Sequence, residues 1–152
     1  MNRIRRSLAA ATALAVASGI ALLPALTSAT PAAAAVSCNG TSLVLGVNVS
    51  THVIGHVRVP TVGNGSGNWV CELGLGNDSV AVARLQIALD DCNLHARLTV
   101  DSDYGPLTQA AVVAVQKHYG VAQDGIYGPV TGFAMTWPYQ GGGCGSIIFN
   151  ES

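Results

Sequence analysis

An eight-residue phrase occurs twice in this chain, 23 residues apart. Asp101-Ser102-Asp103-Tyr104-Gly105-Pro106-Leu107-Thr108 is answered by Asp124-Gly125-Ile126-Tyr127-Gly128-Pro129-Val130-Thr131, and six of the eight positions agree in character. Each copy follows a helix-like run with an aliphatic–Gln pair, Leu85-Gln86 before the first and Val115-Gln116 before the second. An internal repeat fixes architecture before any local argument, because each copy must build a similar supersecondary unit. Two turn-to-helix units packed together are therefore expected.

The first 35 residues read as a leader. Arg3, Arg5 and Arg6 precede an uncharged Ala/Leu/Val run, and Ala33 and Ala35 occupy the small-residue positions of a cleavage site, the layout of a secretory signal peptide. A retained membrane anchor is the competing reading, since the run is about long enough to span a bilayer; Pro24 and the cleavage signature favour the signal. Beyond Ala35, four basic side chains (Arg58, Arg84, Arg97, Lys117) face eight acidic ones, a net charge of about −4. Nucleic-acid binding needs a basic surface, so that class is excluded, and after leader removal no membrane association is expected. Cys38, Cys71, Cys92 and Cys144 are an even set in a short exported chain and read as two disulfides with three possible connectivities. Bridges tying the arm and the tail to the helices are preferred over a pairing inside the arm. No C-x-x-C pair supports a zinc site.

Residues 36–76 read as a β/turn arm. Ser42–Leu45 and Val53–Val59 carry β-branched and apolar residues, with a Gly/Asn cluster at 63–68 between them and Trp69-Val70-Cys71. Residues 77–138 read as helical. Asp78 or Ser79 caps a first helix with Val82, Leu85, Leu89 and Cys92 on one face. Gly105 and Pro106 open a second, with Ala111, Val112, Val115 and Tyr119 inward and Gly120 as its C-cap. The second phrase opens a short third helix with Val130, Phe133, Ala134 and Trp137 on one side, stopped by Trp137-Pro138. Residues 139–152 read as a Gly-rich tail pinned by Cys144. Sequons occur at Asn39, Asn48, Asn64, Asn77 and Asn150, which matter only in a glycosylating host; the Ala/Val/Gly bias is bacterial in character.

With its two phrases around a helix, the segment Val82-Ala83-Arg84-Leu85-Gln86 … Ala110-Ala111-Val112 … Val115-Gln116 … Gly120-Val121 … Thr131 resembles the bacterial peptidoglycan-binding domain, a small three-helix module of cell-wall hydrolases. The resemblance covers about residues 77–137; the flanks are similar to small exported actinobacterial proteins. It implies a mainly α fold, a three-helix bundle with an N-terminal β-hairpin arm, stapled by disulfides. It also implies an extracellular, wall-associated protein that binds peptidoglycan without a cofactor. Ser102, Val115 and Gly132 depart from the family pattern, where a glycine and two aromatics usually stand.

Most of the signature has a structural reading: Asp101 and Asp124 as turn formers, Gln86 and Gln116 as braces, Gly-Pro pairs as helix starts. The ligand-binding reading assigns Asp101, Tyr104, Asp124 and Tyr127 to the rims of one shallow groove, where a tyrosine offers an apolar face and a hydroxyl and two helix N-termini favour anions. Core packing is the competing reading for both tyrosines.

Catalysis has no support in these residues. His52 and His56 are four apart with no third ligand, and Glu72 has no paired acid. Asp101-Ser102-Asp103 starts like a calcium loop but has Gly105 and Val112 where ligands belong. The expected function is therefore non-catalytic peptidoglycan binding. The alternative is a secreted interaction protein, a partner or inhibitor of a cell-wall hydrolase, acting through the β-arm.

Overall fold

The computed structural model describes residues 35–148; the leader assigned to residues 1–35 lies, but for Ala35, outside them, as does Asn150. Two strands, β1 (Gly40–Asn48) and β2 (Ile54–Thr61), form the antiparallel hairpin expected of the β-branched arm, in register from Gly40 opposite Thr61 to Val47 opposite Ile54. Asn48 makes the turn. Its side-chain oxygen accepts from the N–H groups of Ser50 and Thr51, both at 2.9 Å, an Asx turn that sends the chain back.

The helical elements follow: α1 (Val80–Ala88), running on through a π-helical turn at Leu89–Asn93, then α2 (Pro106–Tyr119) and α3 (Pro129–Ala134). Pro106 and Pro129 stand at the first helical position behind Gly105 and Gly128, where a missing N–H costs nothing. Gly120 ends α2 in the left-handed region at φ 70°, a conformation that glycine adopts without a Cβ clash. Two short strands complete the fold, β3 (Trp137–Pro138) and β4 (Cys144–Ile147).

The expectation of a mainly α bundle is overturned. The tail beyond Pro138 is not a loose Gly-rich segment, because β4 inserts between β1 and β3 and gives one four-stranded antiparallel sheet of order β2-β1-β4-β3. The sheet curls until its edges meet. Val57 of β2 bridges to Tyr139 just past β3, and Gln140 N donates to the His56 carbonyl at 2.9 Å. The Tyr139 hydroxyl, donating to the Val53 carbonyl, passes over Gly55, where any Cβ would collide with the ring. The tail reads as loop because Gly141–Gly143 dominate it, yet Gly142 and Gly143 (φ 90° and 75°) are what turn β3 into β4.

α3 also differs from expectation. It is six residues long, Val130 is 68% exposed, and Thr131 and Gly132 are buried in its place. Gly132 faces the Tyr127 ring, whose hydroxyl would lie 2.8 Å from an added Cβ, and its carbonyl accepts from Trp137 Nε1 at 2.9 Å. An aromatic has no room there, which accounts for that departure from the family pattern.

One core joins sheet and helices: Val57 and Val59 from β2, Leu73 from the connector, Val82, Leu85 and Leu89 from the first helix, Val112 and Val115 from α2, and Trp137. Truncating any one of the buried leucines is expected to cost about 2–5 kcal/mol. Both disulfides form; the preferred connectivity is met for the tail and corrected for the arm. Cys38–Cys71 closes within the arm, whereas Cys92–Cys144 ties the π turn to β4. The arm pairing follows from the backbone: Cys38 N donates to the Glu72 carbonyl at 3.0 Å and Glu72 N to the Val36 carbonyl at 2.9 Å, which sets the two cysteines side by side.

Candidate functional site: two braced loops

Each repeat phrase is a turn built around one buried glutamine. Gln86 is 1% exposed. Its Nε2 donates to Asp101 Oδ1 (2.7 Å), to the Asp103 carbonyl (3.0 Å) and to Thr108 Oγ1 (3.1 Å), while its Oε1 accepts from the N–H groups of Asp101 and Ser102. Gln116, equally buried, repeats the pattern. Its Nε2 reaches Asp124 Oδ1 (2.8 Å), the Ile126 carbonyl (3.0 Å) and Thr131 Oγ1 (3.1 Å), and its Oε1 accepts from Gly125 N (3.0 Å). In both turns the aspartate oxygen also accepts from the N–H two residues on, Asp103 at 3.0 Å and Ile126 at 2.9 Å. A buried amide with both ends satisfied rigidifies what surrounds it.

These bonds decide the roles of the aspartates. Gln86 first, and then the Asp103 N–H, hold the Asp101 carboxyl below the usual carboxylate range. For Asp124 the Ile126 N–H is the largest influence and, with a lesser one from Gln116, does the same against the opposing effect of burial. Hydrogen bonds to the charged form favour it. One oxygen of each aspartate is committed to the turn.

The tyrosines lie inside. Tyr104 is 0% and Tyr127 2% exposed, and burial pushes both phenols above the ordinary tyrosine range. Tyr104 donates its hydroxyl to the Gly125 carbonyl at 3.0 Å, so the first phrase is bolted to the second. Tyr127 packs edge-on against Trp137, ring centroids 5.8 Å apart. The connector threads between them: Leu73 and Tyr127 exchange two backbone bonds of 2.9 Å, and Tyr104 N donates to the Asn77 carbonyl at 2.8 Å. Neither tyrosine offers a face to a ligand in this arrangement.

The surface beside each turn does. A depression of about 190 Å³ opens beside the second phrase, lined among others by Glu72, Val121, Asp124, Ile126 and Val130. One of about 230 Å³ opens beside the first, lined by Leu98, Asp101, Asp103, Pro106 and Leu107. They are counterparts by repeat position and share no lining residue, so the surface is a pair of depressions where one groove was expected. Leu107 and Val130, both at the seventh position of the phrase, are 77% and 68% exposed. The helix face expected to group Val130 with Phe133, Ala134 and Trp137 does not form, and Val130 points to solvent as Leu107 does. The signal available was that both stand right after the helix-starting proline, where a side chain points away from the turn.

Residues 78–135 match the family model described as "Putative peptidoglycan binding domain". The segment belongs to that family. The peptidoglycan-binding domain thus runs from the residue before the α1 cap to the end of α3, and both braced turns fall inside it. A curated relative, the zinc D-Ala-D-Ala carboxypeptidase of Streptomyces albus G, is 37% identical over 87 residues, which is 57% of this chain and 34% of that protein. The chain therefore spans about a third of that relative's length. A crystal structure of a peptidoglycan-binding protein from Clostridioides difficile in complex with glutamine hydroxamate aligns at 27% identity over 59% of this chain and 53% of that one, with a TM-score of 0.39, too low to bear on this fold.

The zinc in that relative's name finds no counterpart in the residues around the domain. Among the described residues no three His, Cys, Asp or Glu side chains cluster as a metal site, and all four cysteines are consumed in disulfides. His52 sits in the hairpin turn at φ 58°, while His56 lies on β2. The donor set does not fit a catalytic zinc, which takes three protein ligands. Among the described residues no helix is long and apolar enough to cross a membrane.

Proposed function

We propose that this protein is an exported, non-catalytic binder of bacterial peptidoglycan, and that the paired depressions beside the braced turns are its contact surface. The observation that carries the reading is the duplicated pair Leu107 and Val130, held out to solvent on rigid turns at equivalent positions of a peptidoglycan-binding domain. A fold gains nothing from exposing them, whereas a ligand that covers an aliphatic side chain gains about 1.5–3 kcal/mol from each. Beside each lies an exposed carboxylate, Asp101 or Asp124, able to accept from a glycan hydroxyl or a peptide amide. The polymer repeats, and so does the surface. Two disulfides suit the oxidising space outside the cytoplasm, which supports an extracellular location at the wall.

The test is co-sedimentation with purified wall sacculi. Wild type should pellet, Leu107→Asp and Val130→Asp should each weaken binding about tenfold, and the double variant should stay in the supernatant while melting like wild type. Full binding by the folded double variant moves the contact surface elsewhere. Absence of binding by wild type overturns the reading and favours a secreted partner or inhibitor of a cell-wall hydrolase. Release of soluble fragments from the sacculi would overturn the non-catalytic part alone.

A further inference from the structure

Two of the four basic side chains beyond residue 35 meet at one place, outside the two repeat depressions. Arg84 of α1 reaches across to the sheet, donating Nε to the Arg58 carbonyl at 2.8 Å and Nη2 to the Pro138 carbonyl at 3.3 Å. That fixes its guanidinium between β2 and β3. Arg58, exposed on β2, makes a long contact to Thr41 Oγ1 at 3.4 Å. Between them is a depression of about 170 Å³ lined by Leu43, His56, Arg58, Arg84, Pro138 and Tyr139, with Gln140 at its edge. No acid lines it, although beyond residue 35 eight acidic side chains stand against four basic ones.

Burial, and next the like charge of Arg58, hold Arg84 below its ordinary range, while Asp91 works the other way. An anion that binds beside two like charges relieves their repulsion. A guanidinium fork matches the two oxygens of a planar carboxylate, and the half-exposed Leu43, Pro138 and the Tyr139 ring supply an apolar wall beside the charge. We propose that this depression between β2 and α1 is a carboxylate site, taking the C-terminal carboxylate of a short peptide whose last residue is small and aliphatic. Arg58 is the docking group and Arg84 the fixed second charge; the volume admits about one such residue. The site shares no residue with the repeat depressions and stands independently of the wall-binding surface.

The experiment is a backbone-amide NMR titration of the disulfide-intact protein with N-acetyl-alanyl-alanine, its C-terminal amide, and inorganic phosphate. The free acid should give saturable shifts at Leu43, His56, Arg58 and Tyr139, the amide none, and Arg58→Gln should weaken the acid about tenfold. Arg58→Lys, which keeps the charge and loses the fork, should recover only part of it. Equal response to acid and amide, or an acid titration unchanged in Arg58→Gln, overturns the proposal. Phosphate saturating these amides more tightly than the acid also overturns it, and reassigns the depression to phosphate. The Leu107→Asp, Val130→Asp double variant should titrate like wild type, so failure here and failure of wall binding are read separately.

Discussion

The two braced turns share a bonding pattern but reach it by different routes. In the second, the positions that need positive φ are glycines, Gly120 at 70° and Gly125 at 67°. In the first, the loop leading into the phrase puts His95 (48°), Arg97 (54°) and Ser102 (69°) in the same region. A non-glycine residue there costs roughly 1–2 kcal/mol, so the first turn carries strain that the second avoids. Asp90 offsets part of it, accepting from Arg97 N at 2.6 Å through Oδ1 and bonding His95 Nδ1 through its carbonyl at 3.0 Å. The difference teaches that the turn is specified by Gln, Asp and Thr, and that the glycine of the family pattern is replaceable only where space allows. At Gly125 it does not: a Cβ would lie 2.8 Å from Gln109 Cγ and 3.2 Å from Val113 Cγ2.

The strongest way to break this account is to remove the glutamines. Gln86→Leu and Gln116→Leu each strand a buried turn's donors and acceptors, and each should destabilise by about 3–5 kcal/mol in urea unfolding. Near-equal losses support equivalent turns. A mild loss at either one would show that its turn is held by something else. Next in size, Gly125→Ser imposes on the second turn the residue the first tolerates. It should cost about 2–3 kcal/mol from backbone strain and the close approach to Gln109, whereas Ser102→Gly should stabilise by up to about 1 kcal/mol. If both changes were neutral, the backbone difference between the turns would carry no energy.

The smallest effect concerns acid. Asp101 and Asp124 have folded pKa values below their unfolded ones. Their contribution is therefore complete above the unfolded value, near pH 4, and is lost as pH falls from there through the folded value. Thermal melts between about pH 6 and pH 2 should show stability declining below about pH 4. The decline should be shallower in the Asp101→Asn, Asp124→Asn double variant; an unchanged slope would remove these two groups from the acid response.

Much of the domain was legible in the sequence because its signals are local. Gly-Pro starts, the Gly120 cap and the apolar face of α2 each depend on neighbours within a turn, and the bracing role of Gln86 and Gln116 followed from the matched spacing to the phrases. What was missed depends on distant partners. Cys144–Ile147 has no periodicity that separates a strand from a tail, and becomes β4 only because β1 and β3 wait on either side. Tyr104 and Tyr127 drew a ligand role from their chemistry, but the connector at residues 73–77 covers them, and nothing in a tyrosine announces what will cover it. Leu107 and Val130 pass for core by composition, and only the direction of their helix starts places them outside.

The disulfide pattern has a consequence for how the chain matures. Each cysteine is joined to its immediate neighbour in sequence, Cys38 to Cys71 and Cys92 to Cys144. A polypeptide delivered end-first into an oxidising space meets its cysteines in that order. Were this chain exported in that way, the first pair could close before the third thiol arrived and the third would find only the fourth, so the native set would need no reshuffling. The sheet imposes the opposite schedule, because β1 cannot receive β4 until about a hundred residues have followed it, and such long-range pairings form slowly. Until then the Gly46–Asn48 edge stays open to strands of other molecules, and that interval, more than any error of oxidation, is where this protein is exposed to aggregation.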